Sequence, residues 1–516
     1  MVDRYVDNIL RARVYDVAIE SSLTPMRRLS QRLNNRILLK REDEQPVFSF
    51  KLRGAYNKLY GLDAASKAQG VIAASAGNHA QGVALAGQRL QVPTTIVMPG
   101  TTPGIKVDNV RQLGGTAILQ GDSYDEANQY AQQLSVTQGL SFIHPFDDEA
   151  VIAGQGTIGM EIIRQHPNPI AAIFVPVGGG GLIAGIAAYV KQLRPEIKII
   201  GVEPEDAPTL HQALQAGHPV CLDQVGLFAD GVAVQQIGAK TFQVANTCVD
   251  DVVLVSTDQI CAATKAIFED TRTVAEPAGA LAVAGMTHYL AEQPCSDQTM
   301  IGILSGANIN FERLRHVAER TEVGEQREAL LAVAIPEQPG SFLQFSRTLG
   351  RHNITEFNYR YAGAQQAQVF CGVTLSKGKQ QLSALIKALQ QQGYTVTDMT
   401  DNEVARSHIR HMVGGPASQA TDERVYRFTF PERPGALLDF LSGLSQQWNI
   451  SLFHYRNHGA AYGRVLVGLQ LPEEKRQAFT TYMAQTGYDY IDETNNTAYR
   501  LFAQGGSQSN MYRMEK

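Results

Sequence analysis

"AAIFVPVGGGGLIAGIAAYVKQL", residues 171–193, decides how this chain is read. A β-branched apolar run ends at Val177, four glycines follow, and from Leu182 the apolar residues recur at helical spacing. Strand and helix both disfavour glycine, so four in succession mean that the backbone itself is wanted there. Between a strand end and a helix start the main-chain amides are unpaired, and the helix dipole favours an anion. Glycine lets such a backbone close on a phosphate with no Cβ in the way. A dinucleotide is the competing ligand: Gly179, Gly181 and Ala184 satisfy G-x-G-x-x-A, and Glu203 ends the next strand where a ribose-binding acid would stand. Four consecutive glycines exceed what that turn needs.

Outward from the glycines, β-branched runs alternate with helical stretches between about Arg36 and Phe311: "RILLK", "GVIAAS", "TTIVMP", "TAILQ", "AAIFVPV", "IKIIGVEP", "DVVLVS" and "TMIGILS". Eight such runs predict a parallel α/β sheet with helices on both faces. Ligands of such sheets sit at the carboxyl ends of the strands, where this chain places "SAGNHAQG", "VGGGG" and "LSGAN".

After Thr321–Gln326 the character changes and the chain repeats itself. "LAVAIPEQPGSFLQF" at 331 matches "YRFTFPERPGALLDF" at 426, and "NITEFNYR" at 353 matches "NISLFHYR" at 449. Two copies of a small α+β module therefore follow the α/β part, each with a strand, a Pro-Gly turn, an apolar helix and a second strand. His411–Arg424 reads as their linker, and the last dozen residues as a disordered tail.

With 516 residues the chain exceeds a single core, and two to four domains are expected. A net charge of -5 and 18% charged residues give no sign of nucleic acid or an anionic membrane as partner. No apolar run reaches the length of a membrane span, and "MVDRYVDNILRARVYD" carries acids where a signal peptide would open basic, so the cytoplasm is the expected compartment. Five scattered cysteines without a CxxC pair predict reduced thiols, with neither a disulfide framework nor a metal cage.

Lys51 stands between Phe50 and Leu52, behind Ser49, a predicted N-cap for a helix from about Phe50. A lysine in a first helical turn faces the positive end of the dipole, which favours the neutral amine needed for Schiff-base chemistry; most lysines in such places are merely solvated. "SFKLRGA" (49–55), "SAGNHAQG" (75–82), "VGGGGL" (177–182), "EPAGA" (276–280) and "LSGAN" (304–308) together resemble the fold-type II pyridoxal-phosphate enzymes, most closely the threonine and serine dehydratases, over about residues 10–320. With the doubled module, the whole chain is similar to the biosynthetic threonine deaminases, whose regulatory part holds two ACT-like subdomains. The resemblance implies a two-subdomain catalytic part at 1–320, ACT-like subdomains at 327–402 and 423–503, and conversion of threonine to 2-oxobutanoate and ammonia.

Carried over residue by residue, the resemblance makes Lys51 the Schiff-base lysine and the base at the substrate Cα. Phe50 packs on the pyridine ring, Asn78 holds its 3-hydroxyl, and Ser75 with neighbouring amides binds the substrate carboxylate. Gly178, Gly179, Gly180, Gly181 and Leu182 take the phosphate, and Ser305 meets the pyridine nitrogen as a neutral hydroxyl, which suits loss of a β-leaving group over transfer of the amino group. Glu276 reads either as a neighbour of the ring or as a helix-start acid, His79 as a packed histidine, Glu203 as a strand-end acid, and His408 with His411 as an i,i+3 pair without the company a metal site needs. The doubled module is not needed for elimination, so it is read as a sensor, with isoleucine as inhibitor and valine as antagonist. Phe342 and Tyr359 in the first copy and Leu437 and Tyr455 in the second are its candidate contacts; a purely oligomer-building role is the alternative. Serine as a second substrate and a homotetramer also follow from the resemblance. Serine dehydratase, serine racemase and threonine synthase are the neighbouring readings on the same fold.

Overall fold

The computed structural model describes residues 2–324, 328–336, 345, 348–349, 354–359, 366–375, 378–409, 422–431, 448–456, 462–486 and 488–503. It divides into two compact units, Met1–Thr321 and Glu322–Lys516.

The first unit holds ten strands: β1 Leu23–Pro25, β2 Arg36–Arg41, β3 Val71–Ala74, β4 Thr94–Met98, β5 Thr116–Leu119, β6 Ser141–Phe142, β7 Ala172–Pro176, β8 Lys198–Pro204, β9 Asp251–Val255 and β10 Thr299–Leu304. The eight predicted runs are all strands, but they do not share one sheet. β1-β2-β10-β7-β8-β9 form a six-stranded sheet, and β5-β4-β3-β6 a separate four-stranded one. All pairings are parallel except β1 with β2. The division has a packing cause. Apolar side chains cover both faces of each sheet: Ile173, Val175 and Ile183 belong to one cluster on the large sheet, Phe174, Val202 and Leu281 to another, while Val71, Ala73 and Ile96 pack separately from Ile72, Ala74 and Val97. Each sheet thus completes its own double layer of helices, as parallel sheets require.

The second unit repeats one topology. Its strands are β11 Glu328–Pro336, β12 Ile354–Tyr359, β13 Gln366–Thr374, β14 Thr395–Asp398, β15 Glu423–Pro431, β16 Asn449–Arg456, β17 Tyr462–Gln470 and β18 Asp489–Asp492. They form two antiparallel sheets of matching order, β12-β13-β11-β14 and β16-β17-β15-β18. Even the irregularity recurs: the register shifts between Ile354 and Glu356 in one copy and between Ile450 and Leu452 in the other. Leu330, Phe370 and Met399 of the first copy share a buried cluster with Val425, Leu466 and Tyr499 of the second, so the copies are fused through a common core. Among the described residues no helix is long and apolar enough to cross a membrane.

Candidate active site

Lys51 opens the helix Lys51–Tyr60. Ser49 is not its cap, contrary to the expectation from sequence: Phe50 holds the N-cap position, and no side chain caps the helix. Backbone pairing overrides the local preference. Ser49 forms an antiparallel bridge with Gly306, flanked by Phe50 N–H to Ser305 O (3.2 Å) and Ala307 N–H to Phe48 O (2.9 Å). The Ser49 hydroxyl is left buried without a hydrogen-bond partner among the described residues. The Lys51 Nζ donates to Pro145 O at 3.3 Å and lies 5.3 Å from the centre of the Phe50 ring. Burial pushes its amine down to about 8, with Glu276 pulling the other way.

Behind the lysine the helix is clamped. Arg53 is fully buried and spans Glu42 (Nε to Oε2, 2.8 Å) and Glu161 (Nη1 to Oε1, 2.5 Å), and Lys40 closes on Glu161 at 2.6 Å. Two cations balance two anions, and removing one member would leave a buried charge unpaired.

The glycine run lies between the strand Ala172–Pro176 and a helix start. The helix Gly181–Leu193 is capped by Gly180 at φ +88, a conformation that only glycine adopts without strain, and no side chain caps its amides. The carbonyls are turned away and taken: Thr209 Oγ1 donates to Gly178 O (3.0 Å), and Thr241 Oγ1 to Gly179 O (2.7 Å). A Cβ on Gly179 would lie 2.2 Å from the Phe146 ring, and one on Gly178 2.9 Å from Val232 Cα. The glycines therefore serve close packing against protein. Glu203 is no ribose ligand. It is fully buried, and its carboxylate accepts the amides of Leu210 and His211 at 2.8 and 2.9 Å, so it is committed to the start of the helix Thr209–Ala216.

Asn78 begins the helix Asn78–Leu90, again without a side-chain cap. Its Nδ2 donates to Glu276 Oε1 at 2.6 Å, and its Oδ1 accepts from Asn308 Nδ2 at 2.7 Å. Glu276 is 4% exposed, and burial, then Asp230, pushes its carboxyl up to about 7. Ser75 is half-buried just before this helix, its Oγ accepting from Gly77 N–H at 3.2 Å. Ser305 is buried and donates to Ala278 O at 3.4 Å. His79 is a packed histidine, paired with Ile143 O at 2.9 Å and pushed down to about 3 by burial.

These contacts run as a closed circuit. From Lys51 it passes through Pro145 and Phe146 to the glycine loop, through Val232 and Gly231 to Ala278 and Glu276, then through Asn78 and Asn308 to Val47 and back along Phe50 and Ser305. Sequence reading missed "HPFDD" (144–148), which carries much of it: Pro145 accepts from Lys51, Phe146 underlies the glycines, Asp147 accepts the amides of Ala239, Lys240 and Thr241, and Asp148 caps the helix Glu149–Gln165. The adjacent acids before an apolar helix were the available signal.

A family model described as pyridoxal-phosphate dependent enzyme matches residues 16–306, and one for the C-terminal regulatory domain of threonine dehydratase matches 319–409 and again 414–503. The biosynthetic L-threonine dehydratase of Burkholderia multivorans is 55% identical over 502 residues, 96% of this chain and 99% of that protein. The chain belongs to the threonine dehydratase family of pyridoxal-phosphate-dependent enzymes. Among solved structures, the processed form of threonine deaminase isoform 2 from Solanum lycopersicum is similar at TM-score 0.61 and 51% identity, over 62% of this chain and 88% of that one. Maize serine racemase is similar at TM-score 0.58 and 31% identity, covering 96% of its own chain but 61% of this one.

The site of this dehydratase-family chain fits the family's cofactor. An uncapped helix start with its carbonyls turned away suits the phosphate, and a buried lysine with a lowered pKa and an orphaned Ser49 hydroxyl suit the ring and its aldehyde. Two outcomes follow. Capture of pyridoxal phosphate by the apoprotein should accelerate with pH and level off above about 8, once the Lys51 amine is mostly neutral, whereas a solvated lysine would keep gaining to about 10.4 and beyond. Stopped-flow absorbance across that range distinguishes the two. Gly179→Ala should force the Phe146 ring or the loop aside at an overpacking cost of about 1–3 kcal/mol, read as lost stability in a denaturant titration of the apoprotein.

Of the candidate effector contacts, Phe342 and Leu437 lie outside the described residues. Tyr359 pairs with Val369 on β12, and Tyr455 with Val465 on β16, the same place in each copy.

Proposed function

We propose that this chain is a pyridoxal-phosphate-dependent ammonia-lyase that converts L-threonine, and more weakly L-serine, to the 2-oxoacid and ammonia, with residues 1–320 catalytic and 327–402 and 423–503 regulatory. The observation that carries this reading is a buried lysine with a lowered amine pKa, joined by one contact circuit to an uncapped glycine-rich helix start. The preference for threonine is supported by the name of the Burkholderia multivorans relative, similar over nearly its full length.

Bound there, pyridoxal phosphate supplies the electron sink for charge developing at the substrate Cα. Lys51 Nζ would hold the cofactor and, as a free amine, would take the proton from the substrate Cα. The amides of Gly178, Gly179, Gly180, Gly181 and Leu182 would hold the phosphate, Phe50 would pack on the ring, and Asn78 would donate to its 3-oxygen. Ser75 and the first amides of the helix Asn78–Leu90 hold the substrate carboxylate. Ser305 would offer the pyridine nitrogen a neutral hydroxyl, which favours expulsion of the β-hydroxyl. Water then releases ammonia from the dehydrated product. Isoleucine acts on the duplicated sheets as inhibitor, opposed by valine, in a cytoplasmic homotetramer serving isoleucine synthesis.

The test is oxoacid release from threonine by the reconstituted protein, with and without isoleucine. Release slowed by isoleucine and restored by valine supports the proposal. Racemised serine without oxoacid would replace it with the racemase reading.

A further inference from the structure

Asn308 closes the "LSGAN" segment and has had no task. Its Nδ2 donates twice, to Val47 O at 2.8 Å and to Asn78 Oδ1 at 2.7 Å. A backbone carbonyl can only accept, so Val47 fixes which end of the Asn308 amide faces inward, and Asn308 in turn can meet only the oxygen of Asn78. At the far end Asn78 Nδ2 meets the Glu276 carboxyl at 2.6 Å. An amide can turn end for end with little change of shape, so hydrogen-bond partners alone choose between its donor and acceptor faces. Here Asn308 makes the choice, and Glu276 Oε1 accepts at the other end. Asn78 Nδ2 has a second N–H, and none of the described residues takes it. Gly306 completes the enclosure: its amide region is so close that a Cβ would stand 2.4 Å from Glu276 Oε1 and 3.2 Å from Asn78 Nδ2.

We infer that Asn308 and Glu276 are positioning residues: the relay Val47–Asn308–Asn78–Glu276 locks the Asn78 amide so that it offers the bound cofactor's ring oxygen a donor and never an acceptor. The inference rests on the cofactor reading above. A fixed N–H beside that oxygen stabilises its anionic form, which carries the violet absorption of the bound cofactor. Asn308→Asp keeps the shape and reverses the logic, because a carboxylate can donate neither to Val47 nor to Asn78 and repels the Asn78 oxygen.

The experiment titrates apo wild type and Asn308→Asp with pyridoxal phosphate, recording the spectrum, the Kd and the unfolding temperature of each apoprotein. The expected result is a near-ultraviolet form that grows at the expense of the violet band and a Kd raised about 10-fold or more, the loss expected for one hydrogen bond to a charged group. A violet band and Kd equal to wild type would overturn the relay while leaving the cofactor reading intact. Failure of the wild type itself to bind pyridoxal phosphate would overturn both. Should Asn308→Asp not fold, Asn308→Ala decides. It removes the donor that fixes the Asn78 oxygen, so a shift of the band in the same direction supports the relay, and an unchanged spectrum and Kd overturn it.

Discussion

Lys51→Ala is expected to lower threonine turnover by about 10⁴-fold or more, because one side chain is asked both to hold the cofactor and to move the Cα proton. The fold should survive. Lys51 contributes one hydrogen bond, to Pro145 O, and its helix is held by groups that the substitution leaves in place: the Arg53 clamp with Glu42 and Glu161, and the bridge between Ser49 and Gly306. Burial already disfavours the charged amine, so alanine removes a strained group from the apoprotein and leaves no unpaired charge behind. Oxoacid release and thermal unfolding, measured side by side, check both halves. Turnover persisting in the purified variant would take Lys51 out of its role.

Ending the chain after about Gly324 should leave threonine turnover within a few-fold and abolish the isoleucine response. The structure makes this cut natural: the first compact unit ends at Thr321, and the clusters that cover both faces of its two sheets are built from residues no later than Leu304. An inhibitor can shift activity only through its unequal affinity for two states of the protein. A coupling of about 1–3 kcal/mol, or roughly 5- to 150-fold, should therefore vanish with the part that binds it. Dose–response curves on both proteins measure the loss. Full inhibition of the truncated chain would place the effector site in the catalytic unit.

What the sequence disclosed, and what it withheld, follows from range. Lys51, Asn78, Ser305 and the glycines each sit in a short contiguous motif, so their residue types and order were enough to propose the site. Phe146 and Val232 act by meeting glycines roughly thirty and fifty residues away in the chain, and no local pattern announces such an encounter. The same holds for the sheets: Val71–Ala74 and Ala172–Pro176 look alike as apolar runs, and only their three-dimensional partners assign them to different sheets. Ser49 misled because a good capping residue was drawn into backbone pairing with a segment about 250 residues later. In the regulatory unit the repeat was legible at the Pro-Gly turns and Asn-Ile strands. It was silent at the helices Gly378–Gln391 and Glu473–Thr486, whose sequences have little in common although they occupy the same place in the two modules.

The most direct test of the central claim is to treat the reconstituted holoenzyme with borohydride and map the pyridoxyl group by peptide mass analysis. A single label on the peptide containing Lys51, with loss of the violet band and of threonine turnover together, is the predicted result. A label on another lysine, or no label in a protein that still releases oxoacid, would contradict it.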